Sequence, residues 1–224
     1  NSETDFVARN EKFQAMVAEI SKLALKANGD TEVLKTMKVP GSAHAVAEYV
    51  AEMVAAIGEN MTVRRTAVLS VKDGVVASYV HNQIAPGMGK IGVLVDISGN
   101  DLQIGKNVAM HIAASKPKAL NESGVPAEDV ERERSVAKAK AIESGKPAEI
   151  AEKMVEGSIK KYLKEVALLS QPFVMDPDHT VEAMLKSKGS AVNSFQLYIV
   201  GEGIEKKVND FAAEVAAQAA AAAR

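Results

Sequence analysis

Residues 91–117 read IGVLVDISGNDLQIGKNVAMHIAASKP, and the spacing of apolar residues changes within this stretch. Apolar side chains occupy every second position from Ile91 to Ile97, which is typical of a strand with one buried face. From Val108 they recur every three to four residues, which predicts a helix that ends before Pro117. Because a strand here leads directly into a helix, we expect the fold class to be α+β.

Two further stretches with alternating apolar residues lie upstream, at 63–71 and 75–79. Between them stands Asp73-Gly74, and Asp-Gly is among the strongest short-range signals for a β-hairpin. Together with the strand at 91–97, these stretches predict three strands of an antiparallel sheet. Segment 87–92 matches Gly-x-Gly-x-x-Gly, but it precedes a strand rather than a helix, so we interpret it as a loop and not as a dinucleotide site.

Two helices are predicted before these strands. The first begins near Asn10, a good N-cap residue, and ends at Asn28-Gly29-Asp30. The second is capped by Ser42 and ends at Gly58. Both place apolar residues at helical spacing, so we expect them to cover the sheet.

The region between Pro126 and Val166 is predicted to hold two more helices, joined by Ser144-Gly145-Lys146-Pro147. A Gly just past one helix and a Pro just inside the next are typical of an antiparallel helical hairpin. The first of the two helices has only a thin apolar face. We therefore expect a largely solvated coiled coil that projects from the body of the protein.

The chain after this hairpin resembles a shortened copy of the first part. Phe6-Val7 recurs as Phe173-Val174, and a further strand is predicted through Phe195 and Ile199. We therefore expect two related subdomains with small antiparallel sheets covered by helices. The predicted extents are 1–104 for the first subdomain, 105–126 and 167–203 for the second, 127–166 for the inserted hairpin, and 204–224 for a C-terminal helical module.

The amino-acid composition argues against several classes of function and site. The 224 residues include 27 basic and 29 acidic side chains, and this balance argues against nucleic acid as the main partner. There is no cysteine, which excludes disulfides and thiolate metal sites and fits a reducing cytosol. No apolar run approaches the roughly 20 residues of a membrane span, and no signal peptide is recognisable. The chain starts at Asn1 without an initiator Met, so we expect a fragment or a processed product.

The sequence contains no recognisable catalytic or cofactor motif. The four histidines are dispersed and lack the i,i+4 spacing of a helical metal pair. No Ser stands in the Gly-x-Ser-x-Gly elbow of hydrolases. Most acidic residues fall on helices, where a solvated face explains them. We therefore expect no enzyme activity, no metal site and no cofactor.

Two short aromatic segments each allow two interpretations. In Thr4-Asp5-Phe6-Val7, the aromatic residue either anchors the first helix from the core or stands exposed as an anchor for a partner. The same alternatives apply to Phe173-Val174-Met175, between Pro172 and Pro177. His111 continues an apolar helical stripe, for which a half-buried structural histidine is the simpler interpretation.

Several motifs stand in a fixed order along almost the whole chain. They are TDFVA at 4–8 with FQ at 13–14, IGEN at 57–60 with RR at 64–65, IGVLV at 91–95, AMHIAASKP at 109–117, SGKP at 144–147, IAEKMVEG at 150–157, QPFVM at 171–175 and VGEGIEK at 200–206. Together these motifs resemble the elongation factor Ts family, and in combination they are highly specific.

The resemblance implies a fold like the predicted one and a partner, elongation factor Tu. The family contact positions fall on Asp5, Phe6, Ile91, Gly92, His111, Val174 and Met175. The first two would form a tip whose ring enters an apolar pocket of the GTPase domain and disturbs its Mg²⁺ site, which promotes GDP release. The next three match contacts near that region, and the last two match contacts with the neighbouring barrel domain.

The same resemblance implies a cytoplasmic exchange factor without covalent chemistry or cofactors. Family members carry an N-terminal helical domain that this chain is expected to lack. No direct nucleic-acid or membrane partner is implied, and self-association of the heterodimer with elongation factor Tu stays open. The alternative is a non-catalytic scaffold or interaction module in a translation or replication assembly. An RNA-binding module is a weaker alternative, because the charge is balanced.

Overall fold

The computed structural model describes Thr4 and residues 6–204. Within them the helices are α1 (Glu11–Lys26), α2 (Thr31–Thr36), α3 (Val46–Ile57), α4 (Leu102–Ser115), α5 (Ala127–Glu143), α6 (Ala148–Val166) and α7 (Val181–Ser187). The strands are β1 (Val75–Ala85), β2 (Met88–Ser98), β3 (Pro172–Phe173), β4 (Asp176–Thr180) and β5 (Ala191–Ile199). Helices and strands are mixed along the chain and the strands pair antiparallel, so the predicted α+β class is confirmed.

Helix α1 begins and ends where the sequence predicts. The side-chain oxygen of Asn10 caps it by accepting the backbone N–H groups of Lys12 and Phe13 at 2.9 and 3.4 Å. The helix ends before Asn28 and Gly29, which both have positive φ. Helices α1, α2 and α3 pack around a first core. Its buried residues are Val7, Met16, Ile20, Leu23, Ala24, Ala27, Leu34, Val39, Val46, Val50 and Met61.

The helix predicted from Ser42 begins later than expected. Helix α3 has Ala45 as its N-cap, and the Glu48 side chain accepts the Ala45 N–H at 3.2 Å. Ser42 is not the cap, because its hydroxyl accepts the N–H of His44 at 3.1 Å in the preceding turn. The predicted end is confirmed, since Gly58 closes the helix with φ 82°, a left-handed conformation that glycine adopts at little cost.

The main sheet has the strand order β1-β2-β5. The predicted strand at 63–71 and the predicted hairpin at Asp73-Gly74 are both wrong. Residues 62–71 belong to no strand, and β1 pairs with β2 across Pro86-Gly87, where Gly87 has φ 73°, as expected for a type II turn. Gly74 is needed for another reason, because a Cβ at this position would collide with the carbonyl oxygen of Ile97.

At Thr66 the backbone is satisfied by side chains instead of by a neighbouring strand. Its N–H donates to Thr31 Oγ1 at 3.2 Å, and its carbonyl accepts from the Tyr198 hydroxyl at 3.2 Å. The Thr66 hydroxyl donates to the Gly29 carbonyl at 2.8 Å. Residues 62–71 therefore connect the loop after α1 to β5 without entering the sheet.

Helix α4 ends before Pro117, as predicted. It covers β1 and β2, whereas the two N-terminal helices that we expected to cover the sheet pack around the first core. Gly105 permits close packing, since a Cβ there would lie 2.5 Å from that of Ala77 on β1. Burial of each large aliphatic side chain in such a core contributes about 1.5–3 kcal/mol. The buried residues of this second core are Val93, Val95, Ile97, Val108, Ala109, Ile112, Ala113, Leu168, Phe173, Val181, Leu185 and Val192.

Helices α5 and α6 form the predicted helical hairpin, with the connection at residues 144–147. The first helix has the expected thin apolar face. The contact between them consists of small residues and one valine, namely Ala137, Ala141, Ala151 and Val155. Lys118 ties the hairpin to the body, because its Nζ lies 2.8 Å from Asp129 Oδ2 on α5. Supercoiling of the two helices stays a prediction.

Strand β5 joins chain segments that the sequence analysis assigns to different subdomains. It pairs with β2, with Phe195 opposite Val95. The division near residue 104 and the other predicted boundaries stay predictions. The predicted module at 204–224 lies outside the described residues, apart from Ile204.

Candidate functional site

Phe6 stands exposed next to a buried neighbour. Its side chain is 86 % exposed, whereas that of Val7 is 6 % exposed and belongs to the first core. The core interpretation is therefore right for Val7 and wrong for Phe6. A tight turn fixes this arrangement, since the N–H of Arg9 donates to the Phe6 carbonyl at 3.1 Å and that of Asn10 donates to the Val7 carbonyl at 2.9 Å. Asp5 lies outside the described residues.

Glu59 contacts Thr4, which stands two residues before Phe6. Its carboxylate accepts the Thr4 N–H at 3.0 Å and the Thr4 hydroxyl at 2.5 Å. Glu59 directly follows Gly58, so the end of α3 sets its position. Glu59 stands in the motif IGEN at 57–60, and the sequence signal for its role is a carboxylate just past a helix that ends in glycine.

Ile91 and Gly92 are neighbours on β2 and therefore face opposite sides of the sheet. Ile91 packs against the second core. Apart from Gly92 itself and its two chain neighbours, no described residue has an atom within 4 Å of the place where a Cβ of Gly92 would stand. Of the two, Gly92 offers open backbone that another chain could approach closely.

His111 is completely buried on α4, with 0 % exposure. Its Nε2 lies 2.9 Å from Gln171 Oε1, its Nδ1 accepts the N–H of Val174 at 3.1 Å, and the ring of Phe173 lies beside it. Burial lowers the pKa of His111, and the hydrogen bond with Gln171 opposes this effect. The expected structural role is confirmed, although burial is full rather than partial. The side chain has no exposed surface for the direct contact that the resemblance implies.

Val174 and Met175 form the exposed turn between β3 and β4, with 45 % and 56 % of their surfaces accessible. Phe173 just before them is buried in the second core. This segment therefore reverses the arrangement of Phe6-Val7, because here the phenylalanine is buried and the valine after it is exposed. The structure brings His111 and Val174 into direct contact, whereas Phe6 lies beside the first core.

A groove of about 570 Å³ lies next to the turn that carries Phe6. It runs between α1 and the turn from β1 to β2. Its lining is mainly apolar and includes Ala8, Phe13, Val17, Ile84, Met88 and Val200. Gly87 in the turn and Gly89 at the start of β2 also line it, so this glycine segment leads into a strand and does not open a helix.

The part of the chain that the structure describes shows neither a metal-binding cluster nor a membrane-spanning helix. No group of three or more His, Asp or Glu side chains there is placed to hold a metal ion. No helix within those residues combines the length and the apolar character that crossing a bilayer requires.

Comparison with known proteins identifies the family. The family model described as elongation factor TS matches residues 3–202. The chain is 52% identical over 230 residues to elongation factor Ts of Parvibaculum lavamentivorans, which covers 98% of this chain and 75% of that protein. It is 54% identical over 224 residues to elongation factor Ts of Azoarcus sp. strain BH72, which covers 100% of this chain and 73% of that protein. The chain therefore belongs to the elongation factor Ts family of translation elongation factors.

Proposed function

We propose that this chain binds elongation factor Tu and promotes the release of GDP from it, as a guanine-nucleotide exchange factor without covalent chemistry. Membership of the family supports the general role. The observation that carries the specific proposal is the exposed ring of Phe6 beside the buried Val7. A large aromatic side chain that is held in water on an ordered turn is well suited to fill a pocket of a partner.

The proposed contact surface has two parts. One part is Phe6, which lies beside the first core, together with its neighbour in the sequence, Asp5. The part beside the second core consists of Val174 and Met175, with Ile91 and Gly92 as further candidates on β2. We do not assign His111 to direct contact, because it is fully buried.

In the proposed mechanism, the ring of Phe6 enters an apolar pocket of the GTPase domain and displaces a helix near the bound nucleotide. Mg²⁺ requires near-ideal octahedral geometry and bridges phosphate oxygens, so a small displacement weakens the binding of GDP. All chemistry at the phosphates belongs to elongation factor Tu. This chain supplies only binding energy that favours the nucleotide-free arrangement.

Thermodynamic linkage relates the effect of the exchange factor on GDP binding to the effect of GDP on binding of the exchange factor. If the exchange factor weakens GDP binding by some factor, GDP weakens binding of the exchange factor by the same factor. GTP displaces the exchange factor through the same coupling. Neither a proton transfer nor a bound cofactor on this chain is needed for exchange.

Replacement of Phe6 tests this proposal. Loss of an aromatic anchor from an interface commonly costs about 2 kcal/mol or more, which corresponds to roughly 30-fold in affinity. We expect Phe6→Ala to slow the release of fluorescent GDP from elongation factor Tu by a similar factor, as measured by stopped-flow fluorescence. Ile142→Ala is the matched control, because Ile142 is also exposed but lies on the helical hairpin. Equal rates for both variants would contradict the proposal.

A further inference from the structure

The hydrogen bonds around His111 determine which ring nitrogen carries the proton. Its Nδ1 lies 3.1 Å from the backbone nitrogen of Val174, and a backbone N–H can only donate. Nδ1 must therefore be unprotonated. The hydrogen of the neutral ring then lies on Nε2, which donates to Gln171 Oε1 at 2.9 Å.

The amide of Gln171 has the matching orientation. Its Nε2 donates to the carbonyl of Glu165 on α6 at 2.7 Å, so its oxygen is the atom that faces His111. The Gln171 side chain is buried, and its backbone carbonyl accepts the N–H of Val181 at 3.0 Å. All three side-chain hydrogen bonds thus run in one direction, from the Val174 N–H through His111 and Gln171 to the Glu165 carbonyl.

This chain of hydrogen bonds ends at an exposed turn. Phe173 is paired with Asp176, so Val174 and Met175 lie in the connection between β3 and β4. His111 supplies the acceptor for the Val174 N–H there, and the ring of Phe173 packs beside the imidazole with centroids 5.7 Å apart. The groups facing the imidazole are thus an uncharged amide, a backbone N–H and an aromatic ring.

We propose that His111 and Gln171 are positioning residues that fix the backbone of Val174 and so present Val174 and Met175 in a preformed shape to elongation factor Tu. This inference rests on the proposed function. It reassigns His111 from a direct contact to a residue that acts through Val174. Because ordering a loop costs free energy at the moment of binding, a turn that is already fixed binds more tightly than a mobile one.

Two substitutions of His111 separate its two hydrogen bonds. His111→Asn places a carbonyl oxygen near the position of Nδ1, so the acceptor for Val174 is kept and the donor to Gln171 is lost. His111→Gln places an amide near the position of Nε2, so the donor is kept and the acceptor is lost. Both variants shrink or reshape the same buried site, so each serves as the stability control for the other.

The first readout uses the free protein. We expect ring ¹⁵N shifts of His111 to show an unprotonated Nδ1 and a protonated Nε2. We expect hydrogen exchange of the Val174 amide to be about tenfold faster in His111→Gln than in His111→Asn, the factor for one net hydrogen bond. The opposite tautomer, or equal exchange of the Val174 amide in the two variants, would overturn the assignment.

The second readout is GDP release from elongation factor Tu. We expect His111→Gln to slow release more than His111→Asn does, and Gln171→Leu to resemble a weaker form of His111→Gln. Equal loss in the two His111 variants would show that His111 acts only through general stability, and would refute the positioning role. A separate variant, Val174→Ala with Met175→Ala, tests the proposed contact surface itself. Normal release in that variant would refute the surface, while the amide exchange of the free protein would still report on the hydrogen bond.

Discussion

Phe6 and Val7 are adjacent apolar residues in opposite environments. Val7 contributes to the first core, and the free energy gained by its burial offsets part of the cost of exposing Phe6 to water. The exposed ring gives up about 1.5–3 kcal/mol of burial free energy, which a partner pocket would return. At the scale of single residues, the site therefore depends on whatever keeps this turn ordered.

Glu59 is the residue that we expect to keep it ordered. Glu59→Ala removes both hydrogen bonds to Thr4, so the segment before Phe6 should become mobile and the GDP release rate should fall. We expect a loss of about fivefold to tenfold, consistent with one or two net hydrogen bonds. Stopped-flow release with elongation factor Tu measures this loss. Glu52→Ala, which removes the same charge from an exposed position of α3, is the control and should release GDP normally.

His111 should make stability depend on pH. Its pKa in the folded chain lies below the ordinary value of 6.5, because burial disfavours the charged ring. The unfolded chain therefore binds a proton at a higher pH than the folded chain does. The contribution of the neutral His111 to the unfolding free energy is therefore fully present above about pH 6.5. It is lost as the pH falls toward the pKa of the folded chain, by at most about 1.4 kcal/mol per pH unit.

Urea unfolding at a series of pH values between 7.5 and 5.5 measures this effect. The unfolding free energy should decrease as the pH is lowered. The decrease should be smaller in His111→Asn, which has no titratable group at this position. Identical slopes for the two proteins would mean that another group causes the pH dependence.

At the scale of elements, residues 62–71 show how a segment that reads as a strand can serve a different purpose. Arg65 lies over the ring of Tyr198 at 4.6 Å and donates to the carbonyl of Ile199 at 3.3 Å. Arg64 donates to the carbonyl of Glu202 at 2.8 Å. These contacts join the segment to the end of β5.

Thr66→Val should loosen this connection. It removes the hydroxyl that donates to the Gly29 carbonyl and contacts Thr31, while it keeps the shape of the side chain. We expect the unfolding free energy to fall by about 1–2 kcal/mol, because a partly buried carbonyl loses its donor. Urea denaturation measures the change, and Thr66→Ser should restore most of the loss. If the valine variant were as stable as the unchanged protein, the hydroxyl would not support this connection.

The start of α1 and the end of α3 could be predicted because their signals are local. Asn10 caps the start of α1 and Gly58 caps the end of α3, and each acts within one turn of its helix. The strand at 63–71 could not be excluded, because alternation indicates one buried face and not a pairing partner. The backbone groups of Thr66 bond instead with the side chains of Thr31 and of Tyr198, the second of which is 132 residues away.

Contacts between residues far apart in the sequence also limited what could be predicted of the candidate site. The motifs indicate Phe6 and Val174, but they do not decide which of two adjacent apolar residues faces outward. Glu59 and Gln171 stand in recognised motifs, but their roles could not be predicted because their partners are 55 and 60 residues away in the chain. Their roles depend on contacts that only the folded chain creates.

At the scale of the whole molecule, the two parts of the proposed contact surface belong to different cores. The turn that carries Phe6 packs with α1, whereas Val174 is fixed by His111 on α4. The turn also contacts β1, and residues 62–71 connect the loop after α1 to β5. The two parts are therefore held in one body although each has its own local support.

This arrangement predicts that the two parts contribute independently to binding. Substitutions at separated sites without shared partners usually add within about 0.5 kcal/mol. We expect the loss of affinity for nucleotide-free elongation factor Tu in the double variant Phe6→Ala with Met175→Ala to equal the sum of the single losses within that range. Isothermal titration calorimetry of the four proteins measures it. A coupling larger than about 1 kcal/mol would mean that one part forms only after the other has bound, because two preformed surfaces on one body have no physical reason to depend on each other.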